Sequence, residues 1–245
     1  MDQTSTKTRI DLVDLLRGVA LIAMTLFHFG WDLEMLGFVE RGFASQPAMI
    51  WFARCIASSF LFLVGFSLVL AHNPAIKWPS FLKRLVIVGG GGAVITIATY
   101  FATPDIFIFF GILHHIALAS LFGLLFLRLP AIWSLFAAIG VLILFAYGRG
   151  AFFDAPWWWW SGLNAFVPRS SDYVPIFPFF AAVLLGISCA KWMKKSGSIS
   201  TLSTENLSGQ PASLLKFIGR HSLIYYLVHQ PVLITILYMI HLVIR

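Results

Sequence analysis

Within the apolar stretch 11–32 stand three residues at spacings that suit chemistry: Arg17, His28 and Asp32. Arg17 and His28 are eleven residues apart. On a helix that is three turns to within about 20°, so both lie on one face, separated along the axis by roughly 16 Å. His28 and Asp32 are four apart, so the carboxylate can reach the imidazole from the next turn. An imidazole needs only a small shift to act as a general base near neutral pH. The final apolar stretch repeats the progression from basic residue to histidine with Arg220 and His229. Tyr225, Arg54 and His114 are further candidates to line a site. Arg17 and Arg220, with Lys83 and Arg84, suit a phosphorylated ligand held through charge-assisted contacts.

Each residue has a second reading. Arg17 either holds such a ligand or snorkels to lipid phosphate. Asp32 pairs with His28 or with Arg54, the latter a buried structural ion pair. His229 precedes Gln230-Pro231, so its ring is either a second base or the partner of a backbone carbonyl freed by the proline. His114 and His115 point about 100° apart on a helix, so at most one faces a site. No two histidines share an i, i+4 spacing on one helix, which argues against a metal centre.

Helices that span a membrane must position these residues. The chain has 245 residues, 59% hydrophobic and 11% charged, with a mean hydropathy of +0.87. Soluble domains carry roughly 25% charged residues, so the composition predicts an all-α polytopic membrane protein embedded in the lipid bilayer. Seven segments are of spanning length: 14–36, 49–71, 84–102, 108–127, 131–148, 173–191 and 217–243. A single transmembrane domain over 1–245 is expected, with a flexible cytoplasmic linker rich in Ser, Thr and Gly at about 194–213. With the N-terminus cytoplasmic, inner loops hold ten Lys and Arg against four outside, which predicts an N-in, C-out topology. The net charge of +7 therefore reports topology, and no nucleic-acid partner is implied. The N-terminal region is expected to be retained, because charges interrupt its apolar run and no small-residue cleavage site follows.

Cys55 and Cys189 fall in apolar segments as small buried hydrophobes, without a disulfide or metal framework. Gly89 to Gly92 either packs or kinks a helix or lets a neighbour approach closely. Trp157 to Trp160 are placed in the interfacial aromatic belt, with substrate stacking as the other reading. The outer loop 149–172 is either functional or poorly ordered. The prolines of Tyr173-Val-Pro175-Ile-Phe-Pro178 fall in the first turns of the sixth segment.

Several blocks resemble the bacterial heparan-alpha-glucosaminide N-acetyltransferase-like family. They are Asp14-Leu-Leu-Arg17-Gly18, His28-Phe-Gly-Trp31-Asp32, Phe62-Leu-Val-Gly65, Gly111-Ile-Leu-His114-His115 and Gly219-Arg220-His221 through His229-Gln230-Pro231. Arg17 and His28 also resemble the Arg-x10-His pattern of the wider transmembrane acyltransferase superfamily. The resemblance implies a bacterial inner-membrane enzyme with no bound cofactor. Its donor would be acetyl-CoA or another acyl-CoA from the cytoplasm, and its acceptor a glycan or small molecule reached from the other side. It implies His28 as general base, Asp32 as its orienting partner and Arg17 as a CoA-phosphate or structural ligand. The lysosomal branch has Asn at the position of His28 and its essential His eleven residues later, where this chain has Val39. His28 thus agrees better with the branch that acylates polysaccharides. A histidine-lined transporter or proton channel is the alternative, since intramembrane His and Asp also form proton relays. A third reading is a non-catalytic membrane subunit. The oligomeric state is not encoded in these features.

Overall fold

A computed structural model describes residues 10–72, 75–199, 202 and 209–244. Among them are eight α-helices and no strand: α1 Asp11–Met35, α2 Pro47–Ala71, α3 Trp78–Ala102, α4 Ile112–Leu127, α5 Ala131–Tyr147, α6 Ile176–Lys195, α7 Gln210–Arg220 and α8 Ser222–Ile244. Helices α1, α2, α3, α6 and α8 are long and apolar enough to cross a membrane. Helices α4 and α5 are apolar but have 16 and 17 residues. At 1.5 Å per residue they reach about 24 and 26 Å, short of a ~30 Å hydrocarbon core. Of the expected linker, Ser200, Thr201 and residues 203–208 lie outside the described residues, and its two ends belong to α6 and α7.

Two compact units are formed, one from Met1–Ala44 with Met193–Arg245, the other from Ser45–Trp192. In the first, α1 packs on α7 and on α8. Glycine makes the α1–α7 contact possible. A Cβ on Gly18 would overlap the carbonyl oxygen of Leu215, and one on Gly219 would overlap that of Asp14. The two backbones therefore touch where small residues permit it. The single helix expected over 217–243 is in fact two, broken at His221. The His221 N–H bonds back to the carbonyls of Phe217 and Ile218, and its φ of −104° and ψ of 28° leave the helical range. The loop after α1 is folded onto Glu34, whose carboxylate accepts the N–H groups of Gly42 and Ala44 at 2.6 and 2.7 Å.

The second unit holds α2 to α6. Gly65 and Gly186 let α2 and α6 meet, since a Cβ on either would overlap a carbonyl of the other helix, Val183 or Phe62. The chain from 149 to 175 is ordered by its own hydrogen bonds. Arg149 donates to Asn164 O at 3.0 Å, Ala165 N to Asp154 Oδ1 at 2.8 Å, and the Tyr173 hydroxyl to Trp159 O at 2.7 Å. Burial pushes the Tyr173 phenol up to about 12. Trp157 is exposed and its three neighbours are partly covered.

Three further expectations need correction. Helix α4 starts at Ile112, not 108, because residues 104–111 form a 3-10 turn and an extended segment before it. Helix α6 has a non-helical residue at Phe177, so its regular helix runs from Pro178. Cys55 is exposed on α2 and not buried, since α2 turns that face outward, while Cys189 is half-buried.

Candidate functional site

Along α1 the residues Asp14, Gly18, Leu21, Thr25, His28 and Asp32 recur at intervals of four and three and so form one face. That face meets α7 at its start and α8 beyond. At the α7 end, among the described residues, two carboxylates meet three cations. Lys216 Nζ lies 2.8 Å from Asp11 Oδ2, and Arg220 Nη2 lies 3.1 Å from Asp11 Oδ1. Asp14, 2% exposed, accepts from Arg17 Nη1 at 3.2 Å and Arg220 Nε at 3.4 Å. Arg17 and Arg220, expected at a phosphate, are thus bound to carboxylates that the sequence reading left unused.

The α8 end differs. Thr25 Oγ1 and the Tyr225 hydroxyl are 2.8 Å apart, and Thr25 donates to Leu21 O, so Tyr225 donates to Thr25. Tyr225 stacks on His229 with ring planes 4° apart. The rings of His28 and His229 lie 5.1 Å apart, centroid to centroid. His229 Nδ1 is 2.7 Å from the carbonyl of Tyr226. A carbonyl only accepts, so Nδ1 carries the hydrogen and Nε2 of the neutral ring keeps its lone pair. That Nε2 is buried without a hydrogen-bond partner among the described residues. The carbonyl used is that of Tyr226, whereas Pro231 frees that of Leu227, four residues earlier. Relief of the proline therefore does not explain this ring.

Asp32 is fully buried, and its Oδ1 accepts from Gln230 Nε2 at 2.6 Å. Asp32 Oδ2 and Gln230 Oε1 are buried with no partner among the described residues. Asp32 thus meets Gln230, not the His28 ring that its i, i+4 spacing suggested. Gln230 was missed because an amide beside a proline carries no charge signal; its place next to His229 was the available clue.

Arg54, His114, Lys83 and Arg84 belong to the other unit. The Arg54 guanidinium lies over the Trp51 ring, 5.2 Å from its centroid. Lys83 is exposed, and Arg84 borders a small cavity with Phe81, Leu85 and Ser120. His114 is fully engaged: its Nδ1 accepts the Gly111 N–H at 3.2 Å and its Nε2 donates to Thr96 Oγ1 at 3.1 Å. It caps α4 and packs into the space left by Gly92, where a Cβ would lie 3.2 Å from the ring. Both neighbouring histidines are therefore used, since His115 Nδ1 donates to the carbonyls of Val174 and Pro175 at 3.0 and 3.1 Å. The close approach at the tetraglycine is that of the His114 ring.

The first unit therefore contains a saturated charge cluster and, separately along α1, a histidine pair beside unsatisfied acceptors. The latter arrangement can take a proton from a hydroxyl or amine. Comparison with known proteins bears on this. The model of the heparan-alpha-glucosaminide N-acetyltransferase catalytic domain matches residues 9–231. No curated protein and no solved structure matches the chain.

Proposed function

Because the chain belongs to the heparan-alpha-glucosaminide N-acetyltransferase catalytic family, a family of membrane acetyltransferases, we propose that it transfers an acetyl or other acyl group from cytoplasmic acyl-CoA to an extracytoplasmic acceptor. The acceptor is a hydroxyl or amine of a glycan or similar molecule. The reading takes α4 and α5, each a few ångström short of a ~30 Å core, as crossings beside the five long helices, which gives seven with the N-terminus inside. The excess of Lys and Arg on the inner loops supports that orientation.

The observation that carries the reaction is the His229 ring, held in one tautomer by Tyr226 O with a buried lone pair on Nε2. His229 Nε2 takes the proton as the acceptor oxygen or nitrogen attacks the thioester carbonyl. The new C–O or C–N bond forms, the C–S bond breaks, and CoA leaves as a thiolate that recovers the proton. His28, whose ring is 5.1 Å from that of His229, is the nearest group to carry it. The base role that spacing suggested for His28 thus passes to His229, with Asp32 stabilising the charge that develops. Arg17 and Arg220 remain the candidates for the donor phosphates, in competition with Asp11 and Asp14.

The test is reconstitution in liposomes with acetyl-CoA on the inner side and a panel of glycan acceptors, measuring free thiol. His229→Ala and His28→Ala should each lower acceptor-dependent release by about 10²- to 10⁴-fold, the range for loss of a general base. Absence of acceptor-dependent release across the panel, together with histidine-dependent proton flux, would overturn the reading in favour of a proton pathway.

A further inference from the structure

Gln230 gives the unsatisfied end of α1 its chemical character. Its amide nitrogen is committed to Asp32 Oδ1 at 2.6 Å, and a carboxylate can only accept, which fixes the amide orientation. The carbonyl oxygen Oε1 is then the group left over. Three buried polar atoms, two on the adjacent residues His229 and Gln230 of α8 and one on the carboxylate that Gln230 bonds, are consequently all acceptors without donors: Asp32 Oδ2, Gln230 Oε1 and His229 Nε2. Two nearby donors are already used, Tyr225 O–H on Thr25 and His229 Nδ1–H on Tyr226 O. A buried acceptor without a donor costs roughly 1–3 kcal/mol in a folded protein. Three together mark a place where something else brings hydrogens.

We propose that Gln230 is a specificity-determining residue of the acceptor site. With Asp32 and His229 it presents an acceptor-only surface that selects a group carrying at least two hydrogen-bond donors. Such a group is an amine or hydroxyl beside a second hydroxyl; an isolated hydroxyl leaves buried acceptors unpaired. The inference rests on the acyl-transfer reading and adds which acceptors are taken. A site built to hydrogen-bond a polar group rejects the analogue that lacks it far more strongly than an apolar pocket rejects an isostere.

The full chain in liposomes is tested with acetyl-CoA and two parent probes, glucosamine and methyl glucoside. Each is compared with deoxy analogues that lack one hydroxyl next to the acylated group. Wild type should prefer the parent that it uses over its deoxy analogue by on the order of 10²-fold or more in kcat/KM. Gln230→Met should cut that ratio to about 10 or less with the KM for acetyl-CoA unchanged. Asp32→Asn, which puts an N–H where Oδ2 now lies, should compress the ratio in the same way and decides the matter if Gln230→Met does not fold. Retention of the wild-type ratio by the folded variants would overturn the inference and leave acyl transfer standing. Equal loss on parent and deoxy probes would also overturn it, since a purely structural residue does not discriminate between acceptors. No thiol release by wild type with either parent or with the wider panel would overturn the acyl-transfer reading, and the inference with it.

Discussion

Replacing Gly219 with Ala adds one carbon at the closest backbone approach in the first unit. That carbon would lie 2.8 Å from the Asp14 carbonyl carbon and 3.0 Å from Gly18 N, and nearer still to the Asp14 oxygen. All three are backbone atoms of α1, so no rotamer change relieves the overlap, and the helices must part by roughly 1 Å or more. Overpacking of this kind costs about 1–3 kcal/mol. Alanine returns at most about 1 kcal/mol in helix propensity, and less at the last turn, where Gly219 sits. The clash wins, for a net loss of about 1–2 kcal/mol. For a chain of this size the melting temperature should fall by roughly 2–8 °C. Separation also loosens the Arg220–Asp14 contact, already 3.4 Å long. The control is Gly140→Ala in α5, where a new Cβ meets nothing within 4 Å and stability should hold or rise. Thermal unfolding of the purified protein in detergent reads both. If Gly219→Ala melts at or above wild type, the α1–α7 backbone contact is refuted.

Asp14→Asn should destabilise by about 1–3 kcal/mol, less than the 3–5 of a fully buried pair because Arg220 is 42% exposed; denaturant or thermal unfolding checks it. His114→Ala should cost about 1–2 kcal/mol by uncapping α4, and Gly92→Ala should be better tolerated in that background than in wild type, a coupling that a double-mutant cycle measures. Burial favours the neutral Tyr173 phenol and pushes it up to about 12 from an ordinary 10.0. A raised folded value means that its contribution is fully present below pH 10 and is lost as pH rises towards 12. Ultraviolet titration should show a late ionisation step, and Tyr173→Phe should remove it.

The apolar segments were readable because lipid imposes length and composition on each span, and six of the seven expected segments each correspond to one helix, with ends that differ by up to six residues. The seventh failed at His221. The run Gly219-Arg220-His221-Ser222 interrupts the apolar pattern there, a mark read only as the inner end of one helix, and the backbone hydrogen bonds of His221 decide the break. At the site, the helical period put His28 and Asp32 on one face, and α1 keeps them there. The partners were not readable. Asp14–Arg220 and Asp32–Gln230 join positions about 200 residues apart, and period fixes a face without naming what meets it. The i, i+4 rule favoured His28 for Asp32, but a carboxylate on a buried helix face takes the donor that the neighbouring helix presents.

The two ends of α1 pose the same question to C-terminal helices and receive different answers. Each has a nearly inaccessible carboxylate met by α7 or α8. Asp14 is satisfied on both oxygens by guanidinium groups, and Asp11 beside it likewise holds Lys216 and Arg220. Asp32 is satisfied on one oxygen by an uncharged amide, and its other oxygen is left without a donor among the described residues. A saturated ion cluster binds an added anion only by displacing its own carboxylates, whereas an unsatisfied acceptor set gains from each hydrogen it receives. The charge cluster is therefore first of all the fastening of α7 to α1. The break at His221 separates that fastening from the helix that carries His229 and Gln230, so residues 222–230 can be set by the needs of a ligand while residues 210–220 are set by the needs of the fold.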